Sequence, residues 1–148
     1  MSSPAANKIP PASRRARIGS LALGGLGLLL VVPIWALSRL ATWVDWRVLV
    51  SAPVAISAFT FLAYRSDKRS AEAGEWRVPE STLHLFELLG GWPGAFFAQQ
   101  RFRHKVVKVS YQISFWLIVA LHQFVALDSL VGWRFTKQLT QFIRARFA

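Results

Sequence analysis

Three polar clusters interrupt an otherwise apolar chain and hold most of the side chains able to do chemistry: YRSDKRSAEAGEWRVPE over 64–80, GGWPG over 90–94 and RFRHKVVK over 101–108. Lys68, Arg77, Arg103, His104, Lys105 and Lys108 offer positive charge and N–H donors suited to phosphate, and main-chain N–H groups freed at the Gly90 to Gly94 break would add to them. The chemistry implied is capture of an anion or a lipid headgroup. The same residue types also support a plain ion-pair network, in which Asp67, Lys68, Arg69, Arg77 and Glu80 neutralise one another while Gly74 permits a turn. His104 is the best candidate for a catalytic acid or base. Glu80, His84 and Glu87 fall at i, i+4 and i+7 on one helical stripe, a set that could hold a divalent metal. No zinc motif such as HExxH accompanies them, so no metal and no cofactor is expected. The absence of cysteine excludes thiolate-ligated zinc, iron–sulfur chemistry, cysteine nucleophiles and a disulfide scaffold.

The elements that must position these clusters belong to a membrane. The chain has 148 residues, 53% hydrophobic and only 17% charged, with mean hydropathy +0.34 and a net charge of +11. A soluble domain carries about 25% charged residues. Uncharged runs over 18–38, 48–64 and 109–127 approach or match the length of a spanning helix, given a hydrocarbon core of about 30 Å. Pro33 and Pro53 are compatible with spans whose neighbours re-satisfy the freed carbonyls. Lys8, Arg14, Arg15 and Arg17 precede the first run and no acid does, which places the N-terminus in the cytoplasm and makes 18–38 an uncleaved anchor. Trp35, Trp43 and Trp46 gather where the chain leaves that anchor, as interfacial indoles do. Ser20, Gly24 and Gly27 look like a small-residue packing surface, and Gln112, His122 and Gln123 like groups hydrogen-bonded between helices.

The stretch 83–97 is ambiguous. It is apolar but short, contains His84 and Glu87, and is broken by Gly90, Gly91, Pro93 and Gly94. Pro79 and Glu80 suit a first helical turn and Gly90 or Gly91 a left-handed cap, giving a helix over about 78–89 and a second from Pro93 or Gly94. The two halves form either a re-entrant hairpin or one broken span. Counts of Lys and Arg tie between these topologies; the cost of Glu87 facing lipid favours the hairpin, whereas the basic amphipathic helix at 128–148 favours a fourth span. The expected fold is an all-α integral membrane protein with three or four transmembrane helices, a Gly/Pro-broken hairpin and a C-terminal amphipathic helix. Its segments are a basic tail at 1–17, the anchor at 18–38, a membrane domain at 48–127 and the terminal helix at 128–148.

The order Asp67-Lys68-Arg69, Trp76-Arg77-x-Pro79-Glu80-x-x-Leu83, Gly90-Gly91-Trp92-Pro93-Gly94 and Phe102-Arg103-His104-Lys105-x-x-Lys108 resembles the YsdA-like bacterial membrane proteins of domain-of-unknown-function family 1294. The resemblance runs from Val54 to Leu127, with the anchor and terminal helix as elaborations. It implies a small bacterial integral membrane protein, expected here to be a multi-pass protein of the inner membrane, and makes Asp67, Pro79, Glu80, Gly90, Gly91, Pro93 and Gly94 structural motif positions. It transfers no activity. Some relatives are fused to a cold-shock domain, which brings in nucleic acid by association only.

The function expected first is a non-enzymatic scaffold or accessory protein whose basic surface binds anionic lipid, a protein partner or a second copy of itself. The alternative is a small membrane enzyme for a phosphorylated or lipid-linked substrate, with His104 as acid or base and Arg77, Arg103 and Lys105 holding the anion. Membrane-tethered nucleic-acid binding ranks last, because RFRHKVVK offers only Phe102 for stacking.

Overall fold

The computed structural model describes residues 18–147. The basic tail with Lys8, Arg14, Arg15 and Arg17 lies outside the described residues, as does Ala148. Six α-helices make up the described chain: α1 (Ser20–Leu40), α2 (Trp46–Ala73), α3 (Glu80–Phe86), α4 (Trp92–Phe102), α5 (Val109–Leu130) and α6 (Arg134–Phe147), with a kinked turn at Glu87–Gly91 joining α3 to α4. Three of them, α1, α2 and α5, are long and apolar enough to cross a membrane. Their starts match the uncharged runs to within two residues. The end of α2 does not: that helix continues from Tyr64 through a charged stretch to Ala73. Helix formation needs backbone hydrogen bonds rather than apolar side chains, and charged residues of good helix propensity extend it into water.

Capping explains several boundaries. The Asp45 side chain accepts the Arg47 N–H at 2.8 Å at the start of α2, and Gly74 closes that helix in the left-handed region (φ 70°) with its N–H on the Ser70 carbonyl. Pro79 is the N-cap of α3 rather than a residue of its first turn. Gly90 takes the expected left-handed conformation (φ 106°) and breaks the helix in the turn that follows α3, so α3 is shorter than the sequence suggests.

The core is small. Tyr64, Leu83, Trp92, Ala95, Ala98, Tyr111, Phe115 and Val119 pack together from α2, α3, α4 and α5, with Leu26, Leu29 and Leu30 of α1 against them. Most remaining apolar side chains of the long helices point outwards, as they do when the solvent is lipid. Gly24 and Gly27 face open space, so no other element of the described chain uses the small-residue surface of α1. Gln123 meets the interhelical expectation by donating to the Leu29 carbonyl of α1 at 2.8 Å. His122 does not: its Nδ1 lies 2.9 Å from the Ile118 carbonyl of its own helix.

Helix α4 lies along α2 at backbone contact. A Cβ on Gly94 would collide with the Ser57 carbonyl, and one on Gly91 with the Thr60 hydroxyl. Phe61 meets Phe97 and Phe102 at centroid distances of 5.8 and 5.2 Å. The chain therefore doubles back between α3 and α4: its tip touches α2 at Ser57 and Thr60, while the start of α3 and the end of α4 meet near Asp67. Along α2 that separation is about 15 Å at about 1.5 Å per residue.

Candidate functional site

Two polar layers sit on this hairpin. The outer layer is a charged cap at the open end. Asp67 is fully buried near the end of α2, because α3, α4 and the loop 103–108 fold over it. Its Oδ2 lies 2.6 Å from His104 Nε2 and 3.7 Å from Lys105 Nζ, and its Oδ1 lies 3.5 Å from Arg77 Nε. At 3.5 Å the Arg77 contact is an ion pair rather than a hydrogen bond, leaving Oδ1 without a hydrogen-bond partner. Glu80 receives Lys105 at 2.6 Å and Lys108 at 2.7 Å. The two bonds, Lys105 first, hold the Glu80 carboxyl down at about 2 against the opposing effect of burial. The loop achieves this convergence with two non-glycine residues in the left-handed region, Arg103 (φ 46°) and Lys105 (φ 67°), so that consecutive side chains diverge and both His104 and Lys105 turn inwards.

The inner layer lies one step deeper and contains no Lys or Arg. Glu87 is fully buried in the turn between α3 and α4. Its Oε1 accepts the hydroxyls of Tyr64 from α2 and Tyr111 from α5, the latter at 2.9 Å, and its Oε2 lies 2.6 Å from His84 Nδ1. The two hydroxyls are 2.5 Å apart, and His84 stacks on Tyr111 at 4.2 Å. Gln99 of α4 donates to the Tyr64 hydroxyl at 3.1 Å and accepts from Gln112 of α5 at 2.7 Å. Gln112 also donates to the Lys105 carbonyl at 3.1 Å, which ties the inner layer to the cap. A buried carboxylate is tolerable when each oxygen is matched with donors, and Glu87 has three.

The six sequence candidates divide. Arg77, His104, Lys105 and Lys108 come together around Asp67 and Glu80. Lys68 turns instead to Glu72 on its own helix at 3.1 Å, and Arg103 stands exposed beside the cluster. Among the motif positions, Asp67 and Glu80 are the carboxylates that collect the cations, Gly91 and Gly94 set the approach of α4 to α2, and Pro93 lies in the first turn of α4. Gly90 supplies the turn itself. Arg69 is exposed on α2. The stripe of Glu80, His84 and Glu87 splits, since Glu80 faces the lysines while His84 and Glu87 bond each other.

Sequence inspection missed Tyr64, Gln99 and Tyr111 altogether. Two of these close the ends of uncharged runs, where a phenol counts as apolar filler; their one signal is that each falls where a span meets a charged cluster.

No curated protein and no solved structure matches the chain. Residues 57–111 match the family described as a protein of unknown function (DUF1294), a segment that begins beside the hairpin tip, at Ser57, and ends at Tyr111. It contains both polar layers except Gln112 and stops short of most of α5, so it is narrower than the resemblance drawn from motifs alone. The hairpin and its two layers, Gln112 apart, thus fall within the segment that matches the DUF1294 family.

Proposed function

We propose that the protein is a multi-pass protein of a bacterial inner membrane, in which α1, α2 and α5 span, α3 and α4 form a re-entrant hairpin, and the charged cap binds phosphate-bearing lipid headgroups at the cytoplasmic face. The positive-inside rule supports that orientation, because twelve of the eighteen Lys and Arg then lie inside, counting the N-terminal tail. The single observation that carries the binding role is the imbalance at the cap: Arg77, His104, Lys105 and Lys108 converge on only two carboxylates. Arg77 and Lys108 keep 49% and 54% of their side chains exposed, and Arg103 adds an exposed guanidinium beside them. The carboxylates hold the cations in place and leave net positive charge facing outwards.

The test is native mass spectrometry of the purified protein with equimolar anionic and zwitterionic phospholipids. Retention of anionic lipid that falls by about fivefold for each of Arg77→Gln, Arg103→Gln and Lys108→Gln is the expected result, at roughly 1 kcal/mol per cation. Equal retention of both lipids by the unmodified protein would defeat the proposal. Acid–base chemistry at His104 is a second assignment, favoured by the Asp67 bond, which fixes the imidazole in the manner of a carboxylate–histidine dyad. It requires that Asp67→Asn and His104→Gln abolish rescue of a deletion strain without lowering the amount of folded protein.

A further inference from the structure

At the end of the molecule away from the cap, α6 leaves α5 through a built joint. Gly132 (φ 74°) and Trp133 (φ 61°) turn the chain, and the Trp133 N–H donates to the Asp128 carbonyl at 2.7 Å. The buried Asp128 side chain then caps α6, accepting the Phe135 N–H at 2.9 Å, the Thr136 N–H at 3.1 Å and the Thr136 hydroxyl at 2.5 Å. Six bonds or torsions thus fix the direction of a helix that touches little else. Phe135 reaches back to Phe124 of α5 at 6.3 Å, and a groove opens between the two helices, lined by Phe124, Phe135, Thr136, Gln138, Leu139 and Phe142.

Two observations identify what fills this groove. Phe124 belongs to the outward apolar surface of α5, with Leu117, Leu121 and Leu127, so the groove is a continuation of a surface that in a spanning helix contacts acyl chains. Helix α6 also carries Arg134, Lys137, Arg144 and Arg146 and no acid. On a helical wheel Arg134, Lys137 and Arg144 lie away from the Phe135, Leu139 and Phe142 stripe, which places charge on the water side of an apolar face. Arg146 falls on the stripe at the last turn, where a long side chain can reach past the helix end.

We infer that α5 and α6 dock on an anionic phospholipid surface, with acyl chains in the Phe124–Phe135–Leu139–Phe142 groove and the surrounding headgroup phosphates attracted by Arg134, Lys137 and Arg144 on the water side of α6, on the leaflet opposite the charged cap. The site is separate from the cap and does not depend on lipid binding there.

The lack of cysteine makes the test direct. Leu139→Cys is spin-labelled in the full chain, which is reconstituted in vesicles of phosphatidylglycerol with phosphatidylcholine and in vesicles of phosphatidylcholine alone. Accessibility is then read with oxygen and with a water-soluble nickel complex. Immersion of the label in lipid is expected, deeper in the anionic vesicles, and it should fall by about fivefold for each of Arg134→Gln, Lys137→Gln and Arg144→Gln. Arg134 and Arg144 are exposed and take no part in the joint, so their variants retain the fold, whereas Lys137 also donates to the Gly132 carbonyl at 3.0 Å; Asp128→Asn, which loosens the joint and leaves the cations in place, should reduce immersion as well. A label open to nickel in both vesicles overturns the site. So does equal immersion regardless of lipid charge and of the three cations, which would leave an apolar anchor without a phosphate. Exclusion of both reagents would also overturn it, by showing that a second copy of the chain covers the groove.

Discussion

Lys105 is the residue on which the cap turns. Its ammonium bonds Glu80, lies near Asp67, and sits 5.3 Å from the Tyr111 ring centroid, while its carbonyl takes the Gln112 amide. Only 6% of its side chain is exposed, so these partners stand in for the water it has lost. Glu80 shows the consequence for acidity. With its carboxyl held at about 2 rather than the usual 4.5, the folded state binds fewer protons than the unfolded state across that interval. The resulting stabilisation is complete above about pH 4.5 and is lost as the pH falls through about 2. Glu80→Gln should therefore flatten the acid limb of the melting-temperature profile between those values, measured in detergent by intrinsic fluorescence, and leave the slope near neutrality unchanged. The cations and carboxylates of the cap were legible as residue types because charge is conspicuous in an apolar chain. Which cation faces which acid was not, since Lys68 and Lys105 differ only in what lies across from them: Glu72 one turn along the same helix, or Glu80 on another.

The three long helices were legible from run length, since a span needs about twenty uncharged residues and little else. The hairpin was half legible. Its glycines marked a break, but charge counting tied, and the decision lies in tertiary pairs between Glu80 and Lys105 or Lys108 that no local pattern encodes. Gly90 and Gly94 separate two demands that look identical in sequence. Gly90 needs a left-handed backbone in open space, so Gly90→Ala should cost about 1 kcal/mol. Gly94 needs the absence of a side chain against the Ser57 carbonyl, so Gly94→Ala must push α4 away from α2 and should cost about 3 kcal/mol, with loss of the Phe61 contacts. Thermal unfolding of the two variants side by side checks the order; equal losses would mean that α4 is not packed as described.

For the molecule as a whole, the fold-back makes a statement about sidedness. With no native cysteine, Ala73→Cys and Val107→Cys should react with an impermeant maleimide from the same side of the membrane, and Gln138→Cys from the other. A fourth span through 83–97 would separate the first two. Labelling Ala73→Cys and Val107→Cys on opposite faces would dissolve the cap as a single site, because Asp67 and Glu80 could then no longer meet His104 and the two lysines.

The parentage of the Glu87 layer also sets a timetable for biogenesis. Glu87 and His84 leave the ribosome before Tyr111 and Gln112, yet they can shed water only against groups contributed by both α2 and α5. In the proposed topology the hairpin therefore waits at the membrane surface until α5 has been made. A chain stopped at Lys108 should accordingly remain open to protease between Glu80 and Phe102, whereas one extended through Leu130 should be protected there, making the last spanning helix the event that completes insertion of the segment before it.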